Sequence, residues 1–375
     1  MRKKQISIGI PVYNVQEAYL KACLESVLKI KSEQIEILVI DDGSTDKSVE
    51  RCRAYAQADS RVRWIRLEKN QGVSAARNRM IAMAEGEWVF FLDADDLLCS
   101  GFCESVLQNG IPEADVVYYN YRIVKTEKEM DIQSVPAPYT ALNPHEVKNL
   151  CICHLCAVPS QTEHMVLTAS VTIKLFRRRF LTEHHLCFIE GLKKSEDRLF
   201  LADVLLHQPK VAVSPQVSYL YRMHPASVSR RYHNRMMDIT DQYLAHSEAM
   251  IQQIFGAEEA LQTLYLENRV TMAVLDNIEL DIFHRDNPCS RAERKRRFYA
   301  LLEKEPYKTA IETANFENYI LREKRILLHY VRKRNLFMLH LLCRHRRLLQ
   351  WYSAFLNRFE KLAVYLGSVF SRKIP

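Results

Sequence analysis

Glycine and proline are scarce in this 375-residue chain, at 9 and 12 residues. That excludes collagen-like and Gly/Pro-rich low-complexity chains. No internal repeat is visible, so solenoid and propeller arrays are also set aside. Neither G-x-G-x-x-G nor G-x-x-x-x-G-K-[ST] occurs, which counts against a dinucleotide-dependent dehydrogenase and a P-loop enzyme. No stretch approaches the ~18 consecutive apolar residues of a membrane-spanning helix. The first apolar run, Ile6 to Val12, is short, alternating and broken by Pro11, a strand pattern rather than a secretory leader. Together with 10 cysteines, it points to a reducing, cytoplasmic setting.

What is present is enough for a large core, since 48% of residues are hydrophobic and 26% are charged. The length exceeds that of a usual single core, so a second unit is expected. The net charge of +8 belongs to the tail: residues 321–375 carry 13 Lys+Arg against 2 Asp+Glu, and residues 1–320 are slightly acidic. A basic tail can meet anionic lipid or nucleic acid, and charge alone does not choose.

The organising stretch is Trp88-Val89-Phe90-Phe91-Leu92-Asp93-Ala94-Asp95-Asp96. Five apolar residues read as a strand buried on both faces, and the carboxylates must emerge at its end. A short turn can aim Asp93 and Asp95 at one point, where a hard divalent cation takes oxygen ligands beside substrate phosphates. An Asp-rich helix cap is the alternative. Upstream, Gln5 to Ile10, Ile35 to Ile40 and Val62 to Leu67 read as strands. Helical spacing of Leu20, Cys23, Leu24, Val27 and Leu28, a helix from near Lys47 and one from Ser74 to Ala84 alternate with them. Such alternation implies a doubly wound, parallel sheet, whose ligands sit outside the carboxyl ends of the strands. Tyr13-Asn14, Asp41-Asp42 and Asp93 to Asp95 would converge there.

The ordered set IPVYN (10–14), VIDDGSTD (39–46), NQGVSAARN (70–78) and FFLDADD (90–96) resembles the family 2 glycosyltransferases of the GT-A fold. The resemblance covers roughly the first hundred residues closely. It implies an α/β, Rossmann-like, mostly parallel nucleotide-sugar domain over residues 1–232. Its donor half would be 1–110 and its acceptor half 111–232, with a helical C-terminal domain over 233–375. By resemblance, Pro11, Tyr13, Asp42 and neighbouring Asp41 surround the base, and Asn70 and Gly72 shape the loop beside it. Arg77 lies near base and phosphates, Asp93 contacts the ribose or a metal-bound water, and Asp95, with Asp93, holds Mn²⁺ or Mg²⁺.

A second cluster, F-x-E-G-x-x-x-x-E-D at residues 188–197, resembles the family segment that supplies the catalytic base, here Asp197 supported by Glu196. Read by itself, it is a helix start with Ser195 as cap and two acids favoured by the helix dipole. Tyr221-Arg222-Met223-His224-Pro225-Ala226-Ser227 resembles a phosphate-closing segment, with Arg222, His224 and Ser227 as the contacts; a solvated strand exit is the other reading. Cys151, Cys153, His154 and Cys156 are soft ligands without paired metal-site spacing, and packed, reduced cysteines are favoured. Beyond Asn234, helical spacing prevails over Met236 to Phe255, Ala257 to Phe283 and Arg291 to Lys304. In the tail, Leu339, Leu342, Arg346, Leu349 and Phe355 fit an apolar stripe, either lying in a membrane surface or covering the core.

The resemblance implies an inverting, metal-dependent glycosyltransferase that moves sugar from a UDP-sugar to a glycan or lipid-linked acceptor of bacterial polysaccharide. The enzyme would be peripheral on an anionic membrane, with no nucleic acid expected. A metal-dependent nucleotidyltransferase would have no need for Asp197. A non-catalytic binding protein would have no need for two sets of intact carboxylates.

Overall fold

The computed structural model describes residues 4–162, 165–223, 231–256, 258–315, 322–351 and 353–354. The chain divides into two compact units. One comprises Met1–Leu155, Pro159–Ser227 and Ala245–Ile254, the other Cys156–Val158, Val228–Leu244 and Phe255–Pro375.

The first unit is built on strand-helix alternation: β1 (Ile6–Val12), α1 (Glu17–Leu28), β2 (Ile35–Asp41), α2 (Ser48–Ala58), β3 (Val62–Arg66), α3 (Val73–Met83) and β4 (Trp88–Phe91). All residues of β2 and β4 are buried, and all but Pro11 of β1. That matches their richness in Ile, Val, Leu and Phe and requires cover on both faces. Helix α1 buries Leu20, Cys23, Leu24 and Val27, the stripe expected from 3.6-residue spacing. Then follow β5 (Leu97–Leu98), α4 (Phe102–Asn109), β6 (Val116–Val124), β7 (Thr140–Ala141), α5 (Pro144–Leu155), β8 (Lys174–Arg177), α6 (Arg178–Glu183), α7 (Glu196–Leu206) and β9 (Val211–Arg222).

These strands form one sheet in the order β3-β2-β1-β4-β8-β6-β9-β5, with β7 on β9. The first four strands are parallel, as expected. The sheet is mostly parallel, as expected, and departs from parallel pairing beyond β4: β8 runs antiparallel to both β4 and β6, while β6 and β9 are parallel. The chain lays β2 and β3 on one side of β1, then crosses to place β4 on the other. The crevice at the carboxyl ends of β1 and β4 is therefore the topological switch point, where α/β sheets bind ligands. Antiparallel pairing of β5 with β9 brings Arg222 back to the same edge.

In the second unit, residues 259–282 form one helical run in which two π turns, Leu266–Val270 and Ile278–Ile282, interrupt the α pattern. Helix Arg291–Glu303 follows, capped by Ser290, whose hydroxyl accepts from Glu293 N–H. Leu339, Leu342 and Leu349 are buried, so this part of the tail's stripe covers a core instead of facing lipid; Phe355 lies outside the described residues. Among the described residues no helix is long and apolar enough to cross a membrane.

Candidate active site

Four phenylalanines fix the two acidic segments to each other. Phe91, the last residue of β4, packs edge-on against Phe188 at 5.6 Å and against Phe176 of β8 at 5.9 Å. Phe200 of α7 stacks on Phe188 at 4.0 Å and meets Phe176 at 5.7 Å. Each such pair contributes about 0.5–1.5 kcal/mol beyond its burial. Asn78 of α3 closes the arrangement, accepting from Phe188 N–H at 2.7 Å and donating to its carbonyl at 2.9 Å. The turn after Phe91 and the first turn of α7 thus rest on one aromatic floor.

Above that floor stands Arg77 of α3, only 3% exposed. Its guanidinium donates to Asp93 Oδ1 at 2.9 Å and Asp197 Oδ1 at 2.5 Å, with Glu196 Oε1 at 3.7 Å. Burial opposes the Arg77 charge, but Asp197, Asp93 and Glu196 hold its pKa above the ordinary value. Burial and the adjacent Asp197 raise Glu196 to about 7 against the pull of Arg77. Asp93 is raised by burial, lowered by Arg77, and raised again by Asp197 and Asp95. The two acidic clusters, about a hundred residues apart in the chain, therefore share one electrostatic site. Asp197 Oδ2 accepts from Val171 N–H at 3.1 Å and from the Ser170 hydroxyl at 3.5 Å. Ser195, at the helix N-cap position, takes a left-handed φ of 66°.

Asp96, the third acid of the run, is buried and was not among the expected site residues. It accepts from the Tyr219 hydroxyl and from Arg222 N–H, both at 2.6 Å. Burial, with Asp95 and Asp93 nearby, pushes its pKa up to about 8. Arg222 Nε donates to the Asp95 carbonyl at 2.9 Å, and its guanidinium lies 4.7 Å over the Tyr19 ring. Arg222 is thus tied to the acidic turn, while His224 and Ser227 lie outside the described residues.

At the other end of the crevice Tyr13 is 48% exposed beside half-buried Pro11. Asn14 stitches the loops after β1 and β2, its Oδ1 accepting from Thr45 N–H and its N–H donating to Ser44 Oγ. Asp41 and Asp42, expected beside the base, are both buried. Asp41 Oδ1 accepts from Ser44 N–H at 2.8 Å. Asp42 accepts from Gln71 and Gly72 N–H, each at 2.8 Å, and so holds the loop in which Asn70 is exposed. Gly72 takes φ +94° at the start of α3, a conformation open to glycine and strained for other residues. Arg77, expected near base and phosphates, has its guanidinium on the carboxylates of Asp93 and Asp197. A basic residue inside the apolar-spaced helix VSAARNRMIAM was the available signal. Elsewhere, Cys151 is packed in the interior and its thiol donates to the Ala202 carbonyl.

Asp93 and Asp95 supply hard oxygen donors at a partly exposed edge. This donor set suits Mn²⁺ or Mg²⁺ only if substrate oxygens complete it, because no group of three His, Cys, Asp or Glu able to hold a metal occurs among the described residues.

A mostly parallel sheet with acids at its switch point defines the GT-A class of fold. Residues 7–158 match the family model described as glycosyl transferase family 2. The chain is 32% identical to the putative glycosyltransferase EpsH of Bacillus subtilis over 242 residues, 64% of this chain and 66% of that protein. It is 27% identical to the succinoglycan biosynthesis protein ExoO of Rhizobium meliloti, over 66% of this chain and 68% of that one. It is also 41% identical to the glycosyltransferase GlyG of Streptococcus pneumoniae over 31% of this chain, and so matches only 40% of that relative's length. The crystal structure of S. aureus TarS 1-349 in complex with UDP-GlcNAc shares the fold, with a TM-score of 0.57 at 20% identity over 92% of this chain and 91% of that one. The chain belongs to glycosyltransferase family 2, a family of sugar-transferring enzymes.

Proposed function

We propose that this chain transfers a sugar from a nucleotide-diphosphate sugar, a UDP-sugar by preference, to a hydroxyl of a glycan or lipid-linked acceptor, with inversion. The observation that carries the reading is the Arg77 bridge between Asp93 and Asp197, which brings both acidic clusters to one crevice. Residues 1–110 serve the donor, 111–232 the acceptor, and 233–375 form a helical domain. The uridine-binding TarS crystals and the polysaccharide role in ExoO's name support the donor and acceptor classes.

Tyr13 offers an exposed ring on which a base stacks, and the loop held by Asp42 lies beside it. A divalent cation held by Asp95 and Asp93 stabilises the negative charge on the departing diphosphate when bound. Arg222, fixed against the Asp95 carbonyl, supplies charge-assisted donors to the same oxygens. Asp197 is the base. Oδ2 accepts from Val171 N–H and the Ser170 hydroxyl, while Oδ1, which accepts from Arg77, has a second lone pair for the acceptor hydroxyl proton. The hydroxyl oxygen bonds to the anomeric carbon, the bond from that carbon to the diphosphate oxygen breaks, and the proton passes to Asp197. Such a base contributes typically ~10²–10⁴-fold.

The tail gives a second contact. Phe337 and Trp351 are exposed, and the last 55 residues are strongly basic, a combination suited to an anionic membrane surface. Retention by phosphatidylglycerol vesicles, lost on truncation at Leu321, tests this; equal retention without the tail contradicts it.

The test of the whole reading is a thermal-shift screen of UDP, GDP, UDP-glucose and UDP-GlcNAc with and without Mn²⁺. At a hundredfold excess over Kd, a ligand stabilises the folded state by about 2.7 kcal/mol. A metal-dependent upward shift with uridine nucleotides is expected. No shift with any nucleotide overturns the assignment.

A further inference from the structure

Behind the site lies a lysine that the mechanism above does not use. Lys174 opens β8 within the apolar run Val171-Thr172-Ile173-Lys174-Leu175-Phe176, and its side chain is fully buried. Its ammonium donates to the carbonyls of Thr168, at 2.9 Å, and Ser170, and sits 4.1 Å over the Tyr118 ring. A buried ammonium is costly unless its donors are used and a counter-charge is near. From α5, His154 bonds the Tyr118 hydroxyl through Nε2 at 3.2 Å; burial, then Lys174 and Arg198, hold it well below the ordinary histidine range, so it is neutral. From α7, Arg198 donates to the His154 carbonyl, and Cys151 of α5 faces Tyr118. Burial pushes Lys174 down to about 7, and Asp197 is the charge that pulls it back up.

The link between the two is one short loop. Lys174 grips that loop at Thr168 and Ser170, and the same loop presents Val171 N–H and the Ser170 hydroxyl to Asp197 Oδ2. Ser170 Oγ is further tied to Thr172 Oγ1 at 2.9 Å. We propose that Lys174 is a positioning residue for transfer: by clamping the carbonyls of Thr168 and Ser170 it sets the carboxylate of Asp197 where the acceptor hydroxyl must arrive. The inference rests on Asp197 being the base. A base displaced by about 1 Å costs about 10²-fold in turnover, whereas donor affinity is set at the opposite end of the crevice and is unaffected.

The experiment follows UDP release from UDP-glucose and UDP-GlcNAc by the full chain, comparing wild type, Lys174→Met, Asp197→Asn and the double variant. Lys174→Met is expected to lose about 10–100-fold in kcat, with donor KM and the UDP-induced thermal shift within about twofold of wild type. Because both residues act through one carboxylate, the double variant should be no slower than Asp197→Asn alone. A merely structural lysine would weaken donor binding, or add its full loss to that of Asp197→Asn. Unchanged kcat or additive losses therefore overturn the proposal. If Lys174→Met does not fold, Lys174→Leu carries the same cycle, and Lys174→Gln, which keeps two N–H donors for the carbonyls, is expected to lose less in kcat than Lys174→Leu; equal losses in these two variants overturn the clamp. Wild-type turnover by Asp197→Asn removes the base and this inference with it. A slow Asp197→Asn beside an unimpaired Lys174 variant removes this inference alone.

Discussion

Replacing Arg77 with methionine removes a cation shared by three carboxylates, Asp93, Asp197 and Glu196. Taking away one partner of a buried ion pair costs about 3–5 kcal/mol, because the other charge stays buried. Here the partners are not sealed off: the side chains of Asp93, Asp197 and Glu196 are 38%, 22% and 19% exposed. Water takes part of the load, so about 2–4 kcal/mol is the expected loss. The loss depends on pH in a definite direction. Glu196, raised to about 7 in the folded state from an ordinary 4.5, binds its proton more tightly folded than unfolded. Its charge therefore costs stability as pH rises from about 4.5 to 7, and nothing below. Arg77 moderates that cost, so the deficit of Arg77→Met should be larger at pH 8 than at pH 5. Urea unfolding of both proteins at the two pH values, with EDTA and a common m-value, measures this. A loss under about 1 kcal/mol, or one equal at both pH values, refutes the account of Arg77 as the shared counter-charge.

Tyr219→Phe leaves the buried Asp96 without its 2.6 Å hydroxyl donor; a loss of about 1–3 kcal/mol is expected, read as a lower urea midpoint. Tyr13→Ala should weaken UDP binding by about 1–3 kcal/mol through lost stacking, with an unchanged melting temperature because the ring is exposed; calorimetric titration measures the first and thermal melting the second. Gly43→Ala combines φ +72° with a Cβ only 2.8 Å from the Lys69 carbonyl carbon, so backbone must move. A loss of more than about 1 kcal/mol is expected, checked by thermal melting.

The first hundred residues were legible because burial dictates their composition. Strands such as Ile35 to Ile40 are rich in Ile, Leu and Val, with Glu36 the one charge inside this one, and their ends are marked by Asp, Asn and Ser. The antiparallel β8 was not legible: Lys174-Leu175-Phe176-Arg177 is four residues long and carries a charge at each end, so no periodicity reports it. Site residues were legible as types and not as partners. Asp93 and Asp197 each stood out, but Arg77 reads like any helical arginine until Phe188 and Phe200 bring α7 beneath it. Asp42 stood out by its place at a strand end, but nothing in the sequence reports that its oxygens accept from the Gln71 and Gly72 amides.

Everything in the mechanism depends on one carboxylate accepting the acceptor's proton. Steady-state UDP release from a UDP-sugar by Asp197→Asn, set beside UDP binding by the same protein, isolates that step. The account requires turnover to fall by about 10²–10⁴-fold with UDP affinity retained. Turnover equal to wild type in a protein that still binds UDP would contradict it.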